Sequence, residues 1–277
     1  MGRRNAQVAV VSRHEAGVHS QEAVAEALIA FEDVDLSLGG KLVLSGITLA
    51  IRKGEFLSVV GPSGCGKTSL INLAAGFLTP SKGRVAYEGK PVAGPRRDIA
   101  IVFQDYGKAL LPWRTAAGNI SLALEAIGYP RQKRPARTAE LLELIGLSEH
   151  AEKHPSQLSG GMQQRLQIAR CLAQDPAVLL MDEPFGALDA LTRQALQDEV
   201  LAIVARSGAT VLFITHDLEE AIYLGDRVIA MRRRPGRLET AFAVDLPRPR
   251  DQLATREDPK FLKLRRELFE VIKEVEH

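Results

Sequence analysis

Gly61-Pro62-Ser63-Gly64-Cys65-Gly66-Lys67-Thr68 fits the phosphate-binding pattern G-x-x-x-x-G-K-[ST] without substitution. Glycines at these places let the backbone curl round an anion and turn its N–H groups inward. Lys67 can reach β- and γ-phosphates, and the Thr68 hydroxyl can ligate Mg²⁺. Gly61 to Thr68, with Ser69 at the head of the following segment, are therefore the candidate ATP contacts. A second chemical element lies further on. Ala177-Val178-Leu179-Leu180-Met181 is a continuous apolar run that ends in Asp182-Glu183-Pro184. An acid delivered at the end of a buried strand can help to hold Mg²⁺, and Glu183 beside it can polarise a water for attack on a γ-phosphate. Alone, such a run reads as a salt bridge. Paired with the glycine loop it reads as the metal and water side of one site.

These residues need elements to carry them. Phe56-Leu57-Ser58-Val59-Val60 is a short apolar run and predicts a buried strand before the loop. Ser69 to Ala75 predicts a helix after it, whose N-terminal end adds positive potential to the anion site. The chain has 277 residues, enough for one large domain with or without appendages. Its net charge of +2 is too small to argue for nucleic acid. It has no apolar run of the length that spans a bilayer, and Val8 to Val11 is too short for a secretory signal. Cys65 and Cys171 give no disulfide framework, which fits a reducing cytoplasm. No internal repeat is present, so one chain holds one glycine loop.

Leu158-Ser159-Gly160-Gly161-Met162-Gln163-Gln164-Arg165 resembles the signature sequence of ABC-type ATPases. Ser159 is a good N-cap, and the glycine pair allows close approach to a phosphate. Further landmarks fall in the order of that family. Ile99 to Phe103 predicts a strand followed by Gln104, as in the Q-loop. Gly186-Ala187-Leu188-Asp189 resembles the D-loop, and Val211 to Thr215 predicts a strand ending at His216, which resembles the switch histidine. The resemblance implies an α/β P-loop NTPase of ABC-ATPase type, with a RecA-like core, an antiparallel β subdomain and a helical insert. It implies catalytic roles for Glu183, His216, Gln104 and Lys67, and Mg²⁺ ligation by Thr68, Gln104 and Asp182. It also implies a head-to-tail homodimer in which Ser159, Gly160, Gly161 and Met162 of one chain close on the ATP of the other. One departure stands out. Most relatives place an aromatic residue against adenine where this chain has Leu38, so the stacking increment of about 0.5–1.5 kcal/mol is lost, and weaker ATP affinity or relaxed base selectivity is expected rather than loss of activity.

The expected organisation is a leader over 1–27, the ATP-binding domain over 28–242 with its insert at about 105–160, and an extension over 243–277. Phe261, Leu264, Leu268 and Ile272 share one face of a predicted amphipathic helix in that extension, which either packs back on the domain or meets a partner. Leu110-Leu111-Pro112-Trp113-Arg114 resembles cassettes of nitrate, sulfonate and taurine importers. Trp113 is then either a core residue or part of the groove that receives a membrane subunit. Arg234-Pro235-Gly236-Arg237 and Asp245-Leu246-Pro247-Arg248-Pro249-Arg250 resemble the same subfamily. The basic cluster of Arg131, Lys133, Arg134 and Arg137 is most simply a solvated face. The resemblance implies ATP-driven import of a small solute, with two permease subunits, an extracytoplasmic solute-binding protein, no nucleic-acid partner and a peripheral place on the cytoplasmic face of the membrane. A non-transport ABC ATPase, or a switch that binds ATP without turning over, is the alternative. Glu183→Gln discriminates between a hydrolytic site and a passive one.

Overall fold

The computed structural model describes residues 27–103, 109–186 and 188–276. A hairpin of β1 (Ala27–Leu38) and β2 (Lys41–Arg52) opens the described chain, followed by β3 (Phe56–Val60) and α1 (Lys67–Ala74). Next come β4 (Lys82–Tyr87), β5 (Lys90–Pro91) and β6 (Ile99–Val102). A helical insert of α2 (Ala116–Ala126) and α3 (Arg134–Leu144) leads to α4 (Gly160–Leu172). The remainder alternates β7 (Val178–Asp182), α5 (Ala190–Ser207), β8 (Thr210–Thr215), α6 (Leu218–Leu224), β9 (Arg227–Arg232) and β10 (Arg237–Ala243). Two helices, α7 (Ala254–Glu257) and α8 (Pro259–Glu276), follow.

The strands form two sheets. One is antiparallel in the order β2-β1-β4-β5, and the other has the order β10-β9-β3-β8-β7-β6. In the second, β9, β3, β8, β7 and β6 run parallel and β10 is an antiparallel edge. The two-residue period of a strand explains how its faces are used. Leu57, Val59, Leu180, Leu212, Ile214 and Met231 turn to one side and pack with α1 and the antiparallel sheet. Phe56, Leu179, Met181, Val211, Phe213 and Val228 turn to the other and pack with the helices. Both faces are covered, which is why these strands read as continuous apolar runs rather than as alternating ones. The three-part architecture is the one the motifs imply.

Boundaries shift for local reasons. The signature helix starts at Gly160, directly after its cap, because the Ser159 side chain accepts from the Met162 N–H and nucleates the turn. Asp182 belongs to β7 itself. Phe103 falls just past β6 and is exposed. In the insert, buried Asn119 accepts from the Leu111 N–H at 2.9 Å and donates to the carbonyls of Leu111, Arg114 and Thr115. That braces the Pro112-Trp113-Arg114 corner, yet Trp113 is 70% exposed. The core reading of this tryptophan is therefore wrong. The braced corner holds the ring out toward solvent.

The C-terminal helix packs back on the domain. Phe261 and Leu268 are buried in the larger core, with Leu264 and Ile272 half-buried beside them. In the basic cluster, Arg134 donates to the Tyr129 carbonyl and Arg137 pairs with Glu140 at 2.7 Å, while Arg131 and Lys133 are exposed. Because Phe261 has no solvent exposure, Phe261→Ala removes a large core side chain and leaves a cavity, at a cost of about 3–5 kcal/mol. The expected result is a melting temperature lower by roughly 10 °C in scanning calorimetry. An unchanged transition would show that the extension adds nothing to the domain's stability.

Candidate functional site

The glycine loop links β3 to α1, so the parallel strand aims its carboxyl end at the helix N-terminus. Gly64 and Gly66 have φ of 76° and 99°, values that L side chains rarely adopt. The curl they permit leaves Ser63, Gly64 and Thr68 exposed at the mouth, with Ser69 half-buried. Lys67 turns back over the loop and is buried, its Nζ donating to the carbonyls of Gly61 at 2.8 Å and Pro62 at 3.3 Å. Cys65 lies inward, and burial pushes its thiol above its ordinary range. A reactive thiolate is thereby suppressed inside the loop.

Asp182 ends β7 beside the loop. Burial raises its carboxyl above the usual carboxylate range, partly offset by a hydrogen bond from the Thr68 hydroxyl. A desolvated acid and a threonine hydroxyl facing one another are hard oxygen donors, so this pair fits Mg²⁺. Gln104, the third expected ligand, lies outside the described residues. Glu183 follows in the left-handed region at φ 45°, held by its N–H to the Ile214 carbonyl at 2.9 Å. Such a conformation costs a non-glycine residue about 1–3 kcal/mol. From there its carboxylate meets Lys67 Nζ at 3.8 Å and His216 Nδ1 at 3.0 Å. His216 is supplied by the two-residue link between β8 and α6. The ends of β3, β7 and β8 thus bring an ammonium, two carboxylates and an imidazole together.

The signature and D-loop residues are helix caps on other elements. Ser159 is exposed at the head of α4, with Gly160, Gly161 and Met162 half-buried behind it. A Cβ on Gly161 would crowd Thr192 on α5, so glycine is needed there for helix packing. Asp189 caps α5, and its hydrogen bonds from Thr192 hold its carboxyl below the usual range. Leu38 ends β1 opposite Lys41 at the hairpin tip and is 42% exposed, while Phe31 is buried in the first strand.

One part of the site is missing from a motif reading. The turn between β9 and β10 lies against the loop. Gly236 exchanges backbone hydrogen bonds with β2, its N–H to the Val43 carbonyl at 2.8 Å and its carbonyl from the Ser45 N–H at 3.0 Å. A Cβ there would overlap the Cys65 carbonyl and press on Leu44. Leu44 in turn crowds the Cβ position of Gly66. The signal in the sequence is Arg234-Pro235-Gly236-Arg237, but nothing in that string names its partner.

The sequence model of the ABC transporter family matches residues 44–186. The chain is similar to a putative ATP-binding protein of Brucella abortus (strain 2308), 48% identical over 244 residues, or 88% of this chain and 93% of that one. It is also similar to the nitrate import ATP-binding protein of Synechococcus elongatus, 45% identical over 87% of this chain but only 37% of that longer protein. Among solved structures, it is similar to a dimeric ATP-binding cassette in a post-hydrolysis state bound to ADP and Pi. The TM-score is 0.68 at 31% identity, covering 78% of this chain and 98% of that one.

Gly236→Ala should force the turn off the Cys65 carbonyl and distort the phosphate cradle. We expect ATP affinity to fall about ten-fold, roughly 1.4 kcal/mol, in an equilibrium titration. Unaltered affinity would show that the turn does not brace the loop.

Proposed function

The chain belongs to the ATP-binding subunits of ABC transporters and is an ATPase, and we propose that it powers import of nitrate, a sulfonate, taurine or a similar small solute through a separate permease. The observation that carries the hydrolytic part is the convergence of Lys67, Asp182, Glu183 and His216 at the ends of adjacent strands.

In this reading, the loop N–H groups and Lys67 hold the β- and γ-phosphates of ATP. Thr68, Asp182 and Gln104 hold Mg²⁺, which neutralises charge on those phosphates when bound. Glu183 accepts a proton from the attacking water as its oxygen bonds to the γ-phosphorus and the bond to the ADP oxygen breaks. His216, in contact with the Glu183 carboxylate, keeps that acceptor aimed. Leu38 covers the adenine side by apolar contact alone.

Ser159 is exposed at a helix N-terminus on a separate element. It suits a γ-phosphate presented by a second copy, and the dimeric relative supports such an assembly. Loss of that phosphate on hydrolysis removes the bridge between copies, so the dimer opens. No helix among the described residues is long and apolar enough to cross a membrane. Association with the cytoplasmic face of the membrane therefore runs through two permease subunits, with a solute-binding protein delivering cargo outside. The exposed Trp113 on its braced corner is the contact offered to the permease, since a large rigid ring at solvent is a strong interface anchor. The nitrate import relative supports the choice of solute class.

ATPase rate against protein concentration tests the site. We expect a steeper than linear rise for the native chain, and an ATP-dependent dimer without turnover for Glu183→Gln in light scattering. Normal turnover in Glu183→Gln would remove the assigned base. For the docking corner, Trp113→Ala should abolish coupled transport while the isolated subunit keeps its ATPase rate and melting temperature. A large loss of thermal stability would count against a surface role for the ring.

A further inference from the structure

We infer that Arg256 and Gln252, which lie outside the nucleotide site, are positioning residues for hydrolysis: they fasten the helix behind His216 to the helix behind Asp189. The inference rests on the role proposed above for His216.

His216 stands on a link of two residues, so its place depends on where α6 begins. That helix has seven residues, too few to hold a position by its own hydrogen bonds. Its acidic first turn does the holding. Asp217 caps it, the Oδ1 accepting from the N–H groups of Glu219 and Glu220. Glu220 is buried between the Thr215 hydroxyl at 2.7 Å and Gln197 Nε2 at 3.1 Å. Glu219 faces the C-terminal segment, where Arg256 reaches it at 2.9 Å and Arg265 at 2.8 Å.

Arg256 touches both helices at once. One terminal nitrogen donates to Glu219 on α6, and the other to the Gln197 side-chain oxygen on α5 at 3.3 Å. Its Nε donates to Gln252 at 3.2 Å, and its Cζ lies 5.0 Å from the centre of the Tyr223 ring. Gln252 then donates to the Gln194 carbonyl at 3.1 Å and to Asp198 at 2.7 Å, both on α5. Every nitrogen of the guanidinium is committed. Gln197, with no solvent exposure, hands the bridge on to Glu220. Nearer the site, Arg193 of α5 donates to the Leu188 carbonyl and lies 3.8 Å from Asp217 and from Glu220. The switch helix and the D-loop helix are therefore tied together at two levels, and the outer tie is supplied by the C-terminal segment. The His216–Glu183 contact of 3.0 Å sits at the end of this chain of bonds. A misplacement on the order of 1 Å at a reacting centre costs about a hundred-fold in rate.

The test uses the full chain with Arg256→Ala and Arg256→Lys. Lysine can keep the charge against Glu219 but cannot span to Gln197 and Gln252 together. We expect kcat to fall about ten-fold in Arg256→Ala and by an intermediate factor in Arg256→Lys, with KM for ATP within about two-fold of native. ATP-dependent dimers should still form when Arg256→Lys is combined with Glu183→Gln. A purely structural role would lower melting temperature and leave kcat of the folded Arg256→Lys protein at the native value, and that result overturns the inference. Should Arg256→Ala fail to fold, Arg256→Lys alone decides. His216→Ala separates the two levels. Lost turnover in His216→Ala with native kcat in Arg256→Lys refutes only the positioning role, whereas native turnover in His216→Ala refutes the site reading beneath it.

Discussion

The ammonium of Lys67 is buried, and a buried charge without partners is among the most expensive things a protein can carry. Much of the fold can be understood as an answer to that group. The loop curls so that the Gly61 and Pro62 carbonyls accept from it, and β7 ends where Glu183 can reach within 3.8 Å. The strand order places β3 next to β8, and β8 next to β7, so that lysine, acid and histidine come from neighbouring strand ends. A phosphate-binding crevice at the carboxyl ends of parallel strands follows from that arrangement.

The glycines show two distinct physical demands behind one residue type. Gly64 and Gly66 supply dihedrals, and the loop could not curl without them. Gly161 and Gly236 supply absence, because a methyl group would strike Thr192 in one case and the Cys65 carbonyl in the other. The first kind belongs to a local pattern and can be recognised in a string of eight residues. The second kind belongs to a meeting of distant segments.

That difference also marks how much could be read before the structure. The glycine loop, the acid pair after an apolar run and the capped signature helix were legible because each is local: a spacing, a burial pattern, a cap. The buried strand β7 was legible as well, since burial on both faces leaves an unbroken apolar run at Val178–Met181. The left-handed turn at Glu183 was not, because a glutamate carries no dihedral signature. Neither was the Arg256 bridge, whose partners Glu219 and Gln197 stand 37 and 59 positions away. Trp113 was open between core and surface, because nothing in its own string shows that Asn119 braces the corner and leaves the ring exposed.

The central strand has a consequence for how the chain is made. β3 precedes both of its sheet neighbours in the chain, and the Phe56 N–H finds its acceptor in Asp226, 170 positions later, in the region that supplies those neighbours. Until those strands exist, a largely apolar segment has both edges open, an arrangement prone to wrong pairing. The nascent polypeptide must therefore keep β3 shielded, and the nucleotide loop that follows it unsettled, until β8 and β9 have been made. A ribosome-bound chain cannot consume ATP before the segment that completes the sheet has arrived.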